Sequence, residues 1–512
     1  MITRFIFMKN IQQYNFSNRQ KYRHISSPMQ KIIALCFISV LSACTLTDVD
    51  AAQAHSAKTV AKKKAIPKST PLLATKKISY VAPDNIDTPI RDSLFLQSGD
   101  RVVWLGDSIT AAHTYTRYVE TFFLLRRPDL NLTFINAGIG GHSSWDGLGR
   151  LDRDVLAYNP SVVVINFGMN DAGYPENSVH AALLKNLDTM FVRLRAGGVK
   201  RIVLIDPSPT DTVTPGVPAG NKLLTRQANL EQYVAAIQAR SPESDVVVVH
   251  WQDPLKQALY SLAANPEYRL IPDRIHPNML GHAVMALQIL RGIGADTSGA
   301  AIESQYQDGK IMSTYKVAGS SSSKPIQTET KLSSHLASLD ISNLLPPIPY
   351  IVKKSEADML ANSDLNQLAS LQWTIRGLDD DNRYRVLLGS KEIGIYTASE
   401  LANGVNLMSG LERNNKSFIE KLPTQEACST NSEIYFFSDF DCLSSMVYKK
   451  DQLRLATRTD KNVTFPDFMT DQYASYQALM QSWLGNVDQA IKKNAKEIRQ
   501  RSHTLTIEFV KK

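Results

Sequence analysis

The chain has 512 residues, 43% of them hydrophobic, and carries a formal net charge of +8 at pH 7. This length and apolar content can fill the cores of about two to four domains, which excludes an intrinsically disordered protein. Residues 1–78 contain 13 Lys and Arg against 2 Asp and Glu, whereas the rest contains 44 against 47. Because the remainder is near neutral and lacks a basic patch or an RNA-binding motif, a nucleic-acid partner is excluded.

The first element in chain order is an export signal. Residues 32–43, IIALCFISVLSA, form a run too short to span a bilayer comfortably but long enough for a signal-peptide core. The run ends in LSAC, which resembles the bacterial lipobox. This resemblance implies a lipid anchor on Cys44, and Thr45 after it implies passage to the outer membrane. Cleavage after AQA, residues 52–54, would instead give a soluble periplasmic or secreted protein.

The signal begins late in the chain. Because the charged-then-apolar pattern starts at Met29, we expect residues 1–28 to be an extended leader or an over-long gene start. The segment after the signal is rich in Ala, Lys, Ser and Pro without apolar periodicity, which predicts a flexible basic tether. We therefore predict a leader over residues 1–50, a tether over 51–80, a first folded domain over 81–297 and an accessory region over 298–512.

Four cysteines are present, of which Cys36 and Cys44 fall in the leader. The other two, Cys428 and Cys442, can form one disulfide, which in an oxidising compartment would stabilise the fold by about 3 kcal/mol. Two separate reduced thiols are the alternative. No Cys and His spacing indicates a metal site, and we predict none.

Residues 98–295 alternate between short β-branched runs and stretches with helical periodicity such as residues 181–198. The predicted strands are residues 101–105, 132–136, 161–167, 201–206 and 245–251. Continuous apolar strands separated by helices predict a parallel sheet of about five strands covered on both faces, a three-layer α/β/α domain. Functional side chains are expected at the carboxyl ends of such strands.

Four sequence blocks follow strand ends or late loops. They are GDSIT at 106–110, NAGIGGHSS at 136–144, GMND at 168–171 and PDRIHPN at 272–278. In order and rough spacing they resemble the four blocks of the SGNH hydrolases, the GDSL esterase and lipase superfamily, secreted bacterial members included. The resemblance covers residues 98–295 and implies a flavodoxin-like serine esterase that needs no cofactor.

The chemistry of acyl transfer explains three of the residue types. A serine hydroxyl needs a base within hydrogen-bond reach and a third group that orients this base. Ser108 is predicted to be the nucleophile, His276 the base and Asp273 the orienting carboxylate. Placed at a helix N-terminus, the backbone N–H of Ser108 can also stabilise the oxyanion that forms during attack.

The resemblance implies two further oxyanion donors, the N–H of Gly141 and the side-chain amide of Asn170. If the loop differs by one residue, Gly140 takes the place of Gly141. His142 departs from the family pattern, in which many members carry an acidic residue, and this leaves the polarity of the acyl pocket open. His142 could contact substrate or be a partly exposed loop residue, and His113 carries the same two readings.

Each assignment also has a structural alternative. Ser108 and Asn170 could be helix caps, the two glycines could serve backbone geometry, and His276 with Asp273 could belong to a surface turn. A dinucleotide site at GIGG is disfavoured, because Ser143 stands where the third glycine is required.

The accessory region is predicted to be mixed α+β. Residues 371–378 are predicted as a strand, 384–397 as a hairpin, 398–407 as a short helical turn, 468–500 as a long helix and 505–510 as a terminal strand. This region could bind a glycan, cover the site or brace the first domain, and bracing is favoured.

The sequence therefore predicts an exported serine esterase that cleaves short acyl esters through an acyl-enzyme, with acetyl groups on carbohydrates as the first candidate. Its partners would be a small-molecule or glycan ester, and a membrane only through the lipid anchor. The alternatives are a lysophospholipase-like lipid esterase, an O-acyltransferase, and a noncatalytic envelope-binding lipoprotein that retains the fold.

Overall fold

The structure is a computed structural model. It describes residues 93–173, 178–214, 220–239, 243–262, 269–308, 310–316, 328–331, 336–342, 370–408, 442–448, 450–451, 454, 467–500 and 502–510. The predicted leader, the lipidation site Cys44, the tether and Cys428 lie outside these residues.

Five parallel strands form the sheet of the α/β domain, in the order β2-β1-β3-β4-β5. The strands are β1 (Arg101–Gly106), β2 (Thr133–Gly138), β3 (Val162–Asn166), β4 (Arg201–Ile205) and β5 (Val246–Val249). The helices are α1 (Ser108–Ala111), α2 (Thr114–Arg126), α3 (Ser144–Gly149), α4 (Leu151–Asp154), α5 (Ser178–Ala196), α6 (Asn221–Gln238), α7 (Gln252–Leu262) and α8 (Met279–Gly292), with short 3₁₀ turns at Pro128–Leu130, Leu156–Tyr158 and Asp171–Gly173. The predicted three-layer α/β/α fold is confirmed.

The central strands are apolar because both faces of the sheet are covered. Every residue of β3, VVVIN, is buried, as are five of the six residues of β1, RVVWLG. Parallel strands covered on both faces by helices read as continuous apolar runs. The burial of these strands thus explains the pattern from which the sheet could be predicted.

The strand register brings the sequence blocks to one edge of the sheet. Gly106, at the end of β1, lies opposite both Gly138 of β2 and Asn166 of β3. Since the strands are parallel, the loops that follow these three residues leave the sheet side by side. The blocks GDSIT, NAGIGGHSS and GMND therefore begin next to one another.

Two glycines let α1 lie against the strand ends. A Cβ atom on Gly106 would come within 2.1 Å of Thr110 Oγ1, and one on Gly138 within 2.4 Å of the Ala111 backbone nitrogen. No side chain fits in these spaces, so close backbone approach fixes where the helix that begins at Ser108 can lie.

The accessory region contains two further sheets. Their strand orders are β13-β10-β6-β7-β8 and β12-β11-β14-β9. The elements are β6 (Ala300–Gln307), β7 (Lys310–Lys316), β8 (Thr328–Lys331), β9 (Leu336–Ser342), β10 (Leu371–Arg376), β11 (Arg383–Leu388), β12 (Lys391–Thr397), α9 (Ala398–Asn403), β13 (Val405–Asn406), α10 (Asp467–Gln500) and β14 (Ser502–Val510). The accessory region is therefore mixed α+β, as predicted.

One part of the accessory region packs into the α/β domain. We call residues 442–448, 450, 451 and 454 the junction segment; residues 442–448 are helical. Leu443 and Val447 of this segment and Ile491 of α10 are buried in the same hydrophobic core as the parallel sheet. Side chains of β6, β10 and β11 form a second core. The junction segment and α10 thus complete the first core, although they follow most of the second one in sequence.

Within the described ranges, no helix combines the length and the apolar character that a membrane span requires.

Replacing Gly138 with alanine tests the close approach of α1 to β2. The new methyl group would lie 2.4 Å from Ala111 N and 2.7 Å from Thr110 C, both backbone atoms that cannot swing aside. We expect Gly138→Ala to lower the free energy of unfolding by about 1–3 kcal/mol, measured by urea denaturation. The matched control is Gly149→Ala, since a methyl group there meets nothing within 4 Å. Equal stability of the two variants would contradict this account.

Candidate active site

Ser108 is the first residue of α1, directly after β1. The residue that caps this helix is Asp107, whose Oδ1 accepts a hydrogen bond from the Ile109 N–H at 2.9 Å. Because Asp107 caps the helix, the Ser108 hydroxyl is not needed as a cap. As the first helical residue, Ser108 also has a backbone N–H without an acceptor inside the helix.

The structure brings Ser108, His276 and Asp273 together in one line of hydrogen bonds. Ser108 Oγ lies 2.8 Å from His276 Nε2, and His276 Nδ1 lies 2.6 Å from Asp273 Oδ2. With the proton on Nδ1 directed at the carboxylate, Nε2 is left to accept the serine proton. The side chains of His276 and Asp273 are 47% and 57% exposed, so the line is open to solvent.

The loop that carries Asp273 and His276 is held from within. Asp273 Oδ1 accepts hydrogen bonds from the backbone N–H groups of His276, at 2.7 Å, and Ile275, at 3.0 Å. Burial opposes ionisation of this carboxyl, but these two bonds and the one from the His276 ring outweigh it, so the pKa of Asp273 lies below its usual value. Asp273 is therefore charged at neutral pH and can stabilise a positive imidazolium.

Arg274 and Asn278 connect this loop to neighbouring elements. Arg274 donates from Nη1 to the carbonyl of Asp211 at 2.9 Å, and Asn278 caps α8 by accepting from the Leu280 and Gly281 N–H groups. These contacts tie the base-carrying loop to α8 and to the loop after β4.

One predicted oxyanion donor, Gly141 or in its place Gly140, belongs to the loop after β2. Gly141 has a φ of +78°, in the left-handed region that favours glycine. A Cβ atom on Gly140 would lie 3.9 Å from Ser108 Cβ, whereas one on Gly141 would meet nothing within 4 Å. Gly140 is therefore next to Ser108, and the Gly141 N–H belongs to the peptide group that follows Gly140.

Asn170 lies across from this loop. Its side-chain nitrogen donates one hydrogen bond to the carbonyl of His142 at 2.9 Å. A primary amide has two N–H groups, so this bond orients the side chain and leaves a second donor. Asn170 is thus anchored to the loop that supplies the predicted glycine donor.

A buried network behind these donors was not anticipated from the sequence. Asp171 accepts hydrogen bonds from the backbone N–H and the hydroxyl of Ser144, and Asn186 Nδ2 donates to the same hydroxyl at 2.9 Å. Burial raises the pKa of Asp171 above its usual value, and the hydrogen bonds from Ser144 oppose this shift. The network joins the loops after β2 and β3; the only sequence signal was the acidic residue that ends GMND.

Asp107 places a second buried carboxyl under the nucleophile. Burial and the nearby Asp171 raise its pKa to about 7, against the opposing effects of the Ile109 N–H and the charge of His276. The position directly before Ser108 therefore carries less than a full negative charge near neutral pH.

The remaining histidines near the site differ in environment. His142 is half-buried, and its pKa is lowered by burial and by the charge of Arg150. His282 of α8 is fully buried against the ring of Tyr115, and burial together with the charge of Arg117 lowers its pKa to about 3. Both are neutral at pH 7. His113 is fully buried and contacts the junction segment.

The sequence predicts no metal site and one possible disulfide, between Cys428 and Cys442. Among the described residues, no group of three or more His, Cys, Asp and Glu side chains is arranged to hold a metal ion. Cys442 is disulfide-bonded and opens the helical part of the junction segment. Its predicted partner, Cys428, lies outside the described residues.

Such a line of serine, imidazole and carboxylate at the carboxyl edge of a parallel sheet defines the class of serine hydrolases. Residues 104–284 match the model of the GDSL-like Lipase/Acylhydrolase family. The α/β domain of this chain belongs to the SGNH hydrolase superfamily, and the protein is an ester-hydrolysing enzyme.

Two named relatives each resemble a part of this chain. An acetylxylan esterase of Geobacillus stearothermophilus is 27% identical over 219 residues, which are 38% of this chain and 95% of the relative. An arylesterase of Vibrio mimicus is 27% identical over 116 residues, 21% of this chain and 55% of the relative.

A solved structure resembles more of the chain. A gut microbial diltiazem-metabolizing enzyme superposes with a TM-score of 0.56 at 20% identity, covering 82% of this chain and 99% of its own. At this identity the likeness concerns the fold alone, and it extends beyond the α/β domain.

Removing the Asn170 amide tests its predicted part in the oxyanion hole. We expect Asn170→Ala to lower kcat for an activated ester by about 100-fold or more while KM changes little, because the donor acts on charge that develops only in the transition state. The matched control is Asn221→Ala, an exposed asparagine at the start of α6. A kcat within threefold of the parent protein would remove Asn170 from the hole.

Proposed function

We propose that this protein is an exported serine esterase that removes short acyl groups, acetyl first among them, from carbohydrate esters. The observation that carries the proposal is the line from Ser108 through His276 to Asp273, with distances of 2.8 and 2.6 Å, at an open edge of the sheet. The donors beside Ser108 support ester chemistry, because acyl transfer develops negative charge on the carbonyl oxygen.

The first half of the reaction forms an acyl-enzyme. Ser108 Oγ attacks the ester carbonyl carbon while His276 Nε2 takes the hydroxyl proton, and Asp273 stabilises the imidazolium that results. The oxyanion of the tetrahedral intermediate accepts hydrogen bonds from the Ser108 and Gly141 N–H groups and from Asn170. When the intermediate collapses, the bond to the alcohol breaks and His276 returns its proton to that leaving oxygen.

The second half frees the serine. A water molecule loses a proton to His276 and attacks the acyl carbonyl carbon, and the oxyanion that forms accepts hydrogen bonds from the same donors. When this intermediate collapses, the bond to Ser108 Oγ breaks, His276 returns the proton to that oxygen, and the carboxylic acid leaves. An O-acyltransferase would differ only in that a sugar hydroxyl takes the place of water. The exposure of His276 and Asp273 supports hydrolysis, because water reaches the base directly.

An exposed tryptophan supports a sugar ring as the alcohol part of the substrate. Trp145 is 72% exposed and lies on α3, three residues after His142, whose carbonyl holds Asn170. The backbone next to it is rigid, since Ser144 is buried and bonded to Asp171. A large exposed aromatic side chain beside a site favours a ligand with a flat apolar face, which a pyranose ring has. The acetylxylan esterase relative agrees with this choice.

Export through a lipid anchor on Cys44 is part of the proposal. It is supported by the apolar run at residues 32–43 and by the LSAC sequence that follows. The site would then face the periplasm or the cell exterior, where acetylated polysaccharides occur.

Ester turnover by the purified protein tests the activity. We expect hydrolysis of p-nitrophenyl acetate, a steep decline with longer acyl chains, and a loss of about 10³-fold or more in kcat in Ser108→Ala.

Trp145→Ala should raise KM for an acetylated xylo-oligosaccharide by about tenfold and leave KM for p-nitrophenyl acetate unchanged, since that ester has no sugar ring. Exposed Leu224→Ala is the matched surface control.

Three results would redirect the proposal. No turnover of any ester by the folded parent protein would favour a noncatalytic envelope-binding protein. Preference for long-chain or lysophospholipid esters would make it a lipid esterase, and transfer of acetyl to an added sugar faster than to water would make it an acyltransferase.

The anchor is tested by metabolic labelling of expressing bacteria with a palmitate analogue. We expect label and membrane association in the parent protein and neither in Cys44→Ser. Label that persists in the variant would exclude Cys44 as the lipidated residue, and an unlabelled secreted parent protein would favour cleavage after AQA.

A further inference from the structure

The corner between α1 and α2 has an unusual backbone. Its second residue, His113, has a φ of 56° and a ψ of 14°, the left-handed conformation. A residue with a Cβ atom rarely adopts this conformation unless its surroundings hold it there. His113 is five residues after Ser108, and its N–H donates to the carbonyl of Thr110 in α1 at 3.1 Å. The conformation of His113 therefore sets how the helix of the nucleophile ends.

The surroundings that hold His113 come from the accessory region. His113 Nδ1 lies 3.0 Å from Asp451 Oδ2, and their side chains are only 1% and 5% exposed. The ring of Tyr448 meets the His113 ring edge-on, with 5.7 Å between centroids. Both partners belong to the junction segment, more than 330 residues further along the chain. A buried hydrogen bond of this kind fixes the imidazole in one orientation.

Two more contacts fix the junction segment to the α/β domain. Lys450 forms a buried ion pair with Glu120 of α2; burial raises the pKa of this carboxyl, and the charge of Lys450 opposes the shift. Arg454 donates from Nη1 to the carbonyl of Phe134 in β2 at 2.8 Å. Asp451, between these two residues in sequence, is thus held in place from both sides.

The same segment also reaches the side of the base. The guanidinium of Arg117 lies 5.8 Å from the centroid of the Tyr448 ring, and its Nη2 lies 3.6 Å from Met279 Sδ. Met279 is the first residue of α8 and follows His276 by three positions. Tyr448 therefore contacts His113, in the turn after Ser108, and Arg117, which contacts the first residue of the helix after His276.

We propose that His113 is a positioning residue for Ser108, and that Asp451 of the junction segment holds it in the left-handed conformation that the nucleophile turn requires. On this proposal the accessory region sets the geometry of the reacting groups, rather than only adding stability. The inference rests on the proposed esterase activity, and its tests separate failure of one from failure of the other.

Kinetics of Asp451 variants test the proposal in the full chain. Asp451→Ala should lower kcat for p-nitrophenyl acetate about tenfold or more with KM within twofold of the parent protein. Asp451→Asn should recover most of this loss, because its amide oxygen can still accept a hydrogen bond from the ring N–H of His113. The matched control is Arg499→Met, which removes a different docking contact, the hydrogen bond to the carbonyl of Leu124 in α2. We expect its kcat to stay within twofold of the parent value.

Variants of His113 itself test the backbone argument. Glycine adopts the left-handed conformation without a steric penalty, whereas alanine does not. Both substitutions remove the bond to Asp451, so His113→Gly should retain several times more kcat than His113→Ala. If the bond mattered only for stability, both variants would lose activity in proportion to the unfolded fraction, measured by circular dichroism at the assay temperature.

A readout independent of turnover completes the test. In Asp451→Ala the backbone amides of residues 108–113 should exchange with deuterium at least tenfold faster than in the parent protein, while those of β3 and β4 stay unchanged. Unchanged exchange in the turn, or equal loss of kcat in Asp451→Ala and Arg499→Met, would overturn the proposal. If the parent protein hydrolyses no ester and an organophosphonate does not label Ser108, the esterase proposal fails, and the exchange experiment still decides the role of Asp451.

Discussion

The close approach of the one-turn helix α1 to the ends of β1 and β2 is the constraint on which the site depends. It is possible only because residues 106 and 138 carry no side chain, since a methyl group at either would overlap with atoms of Thr110 or Ala111. This packing presents the Ser108 hydroxyl at the sheet edge and leaves its backbone N–H unpaired. The loop after β2 then lies beside Ser108, and Asn170 after β3 is bonded to that loop, because the parallel register brings their strands to the same height.

Charge is distributed unevenly around that edge. Asp273 is exposed and accepts two backbone hydrogen bonds, so it is ionised and can stabilise a positive His276. Asp107 and Asp171 are buried, and burial raises the pKa of both. Carboxyls that resist ionisation are suited to a position near the proposed oxyanion hole, because a full negative charge there would oppose the one that forms on the substrate. The same residue type thus serves two purposes, and solvent exposure decides between them.

The α/β domain could be predicted because its signals are local. The VVVIN run is apolar since both faces of β3 are buried, and GDSIT, GMND and PDRIHPN are short enough to be recognised without knowledge of their partners. The network of Asp171, Ser144 and Asn186 could not be found, because its members are up to 42 residues apart and none is unusual alone. Strands β6 and β7 were missed for a similar reason. Alternate residues of AAIESQYQ are buried but few of them are strongly apolar, and β6 pairs with the distant β10 as well as with β7.

The role of the accessory region could not be predicted fully from sequence, because its parts contribute to two different cores. Its place in the sequence suggested an appended brace, and its sheets do form a core of their own. Yet the junction segment and α10 contribute to the core of the parallel sheet, and they reach α2 through a buried ion pair and a buried imidazole. Burying a charged pair costs desolvation energy that apolar residues would avoid, so its advantage lies in orientation rather than in strength. A segment fastened by such contacts has one register on α2, and a single register is what a turn five residues from the nucleophile requires.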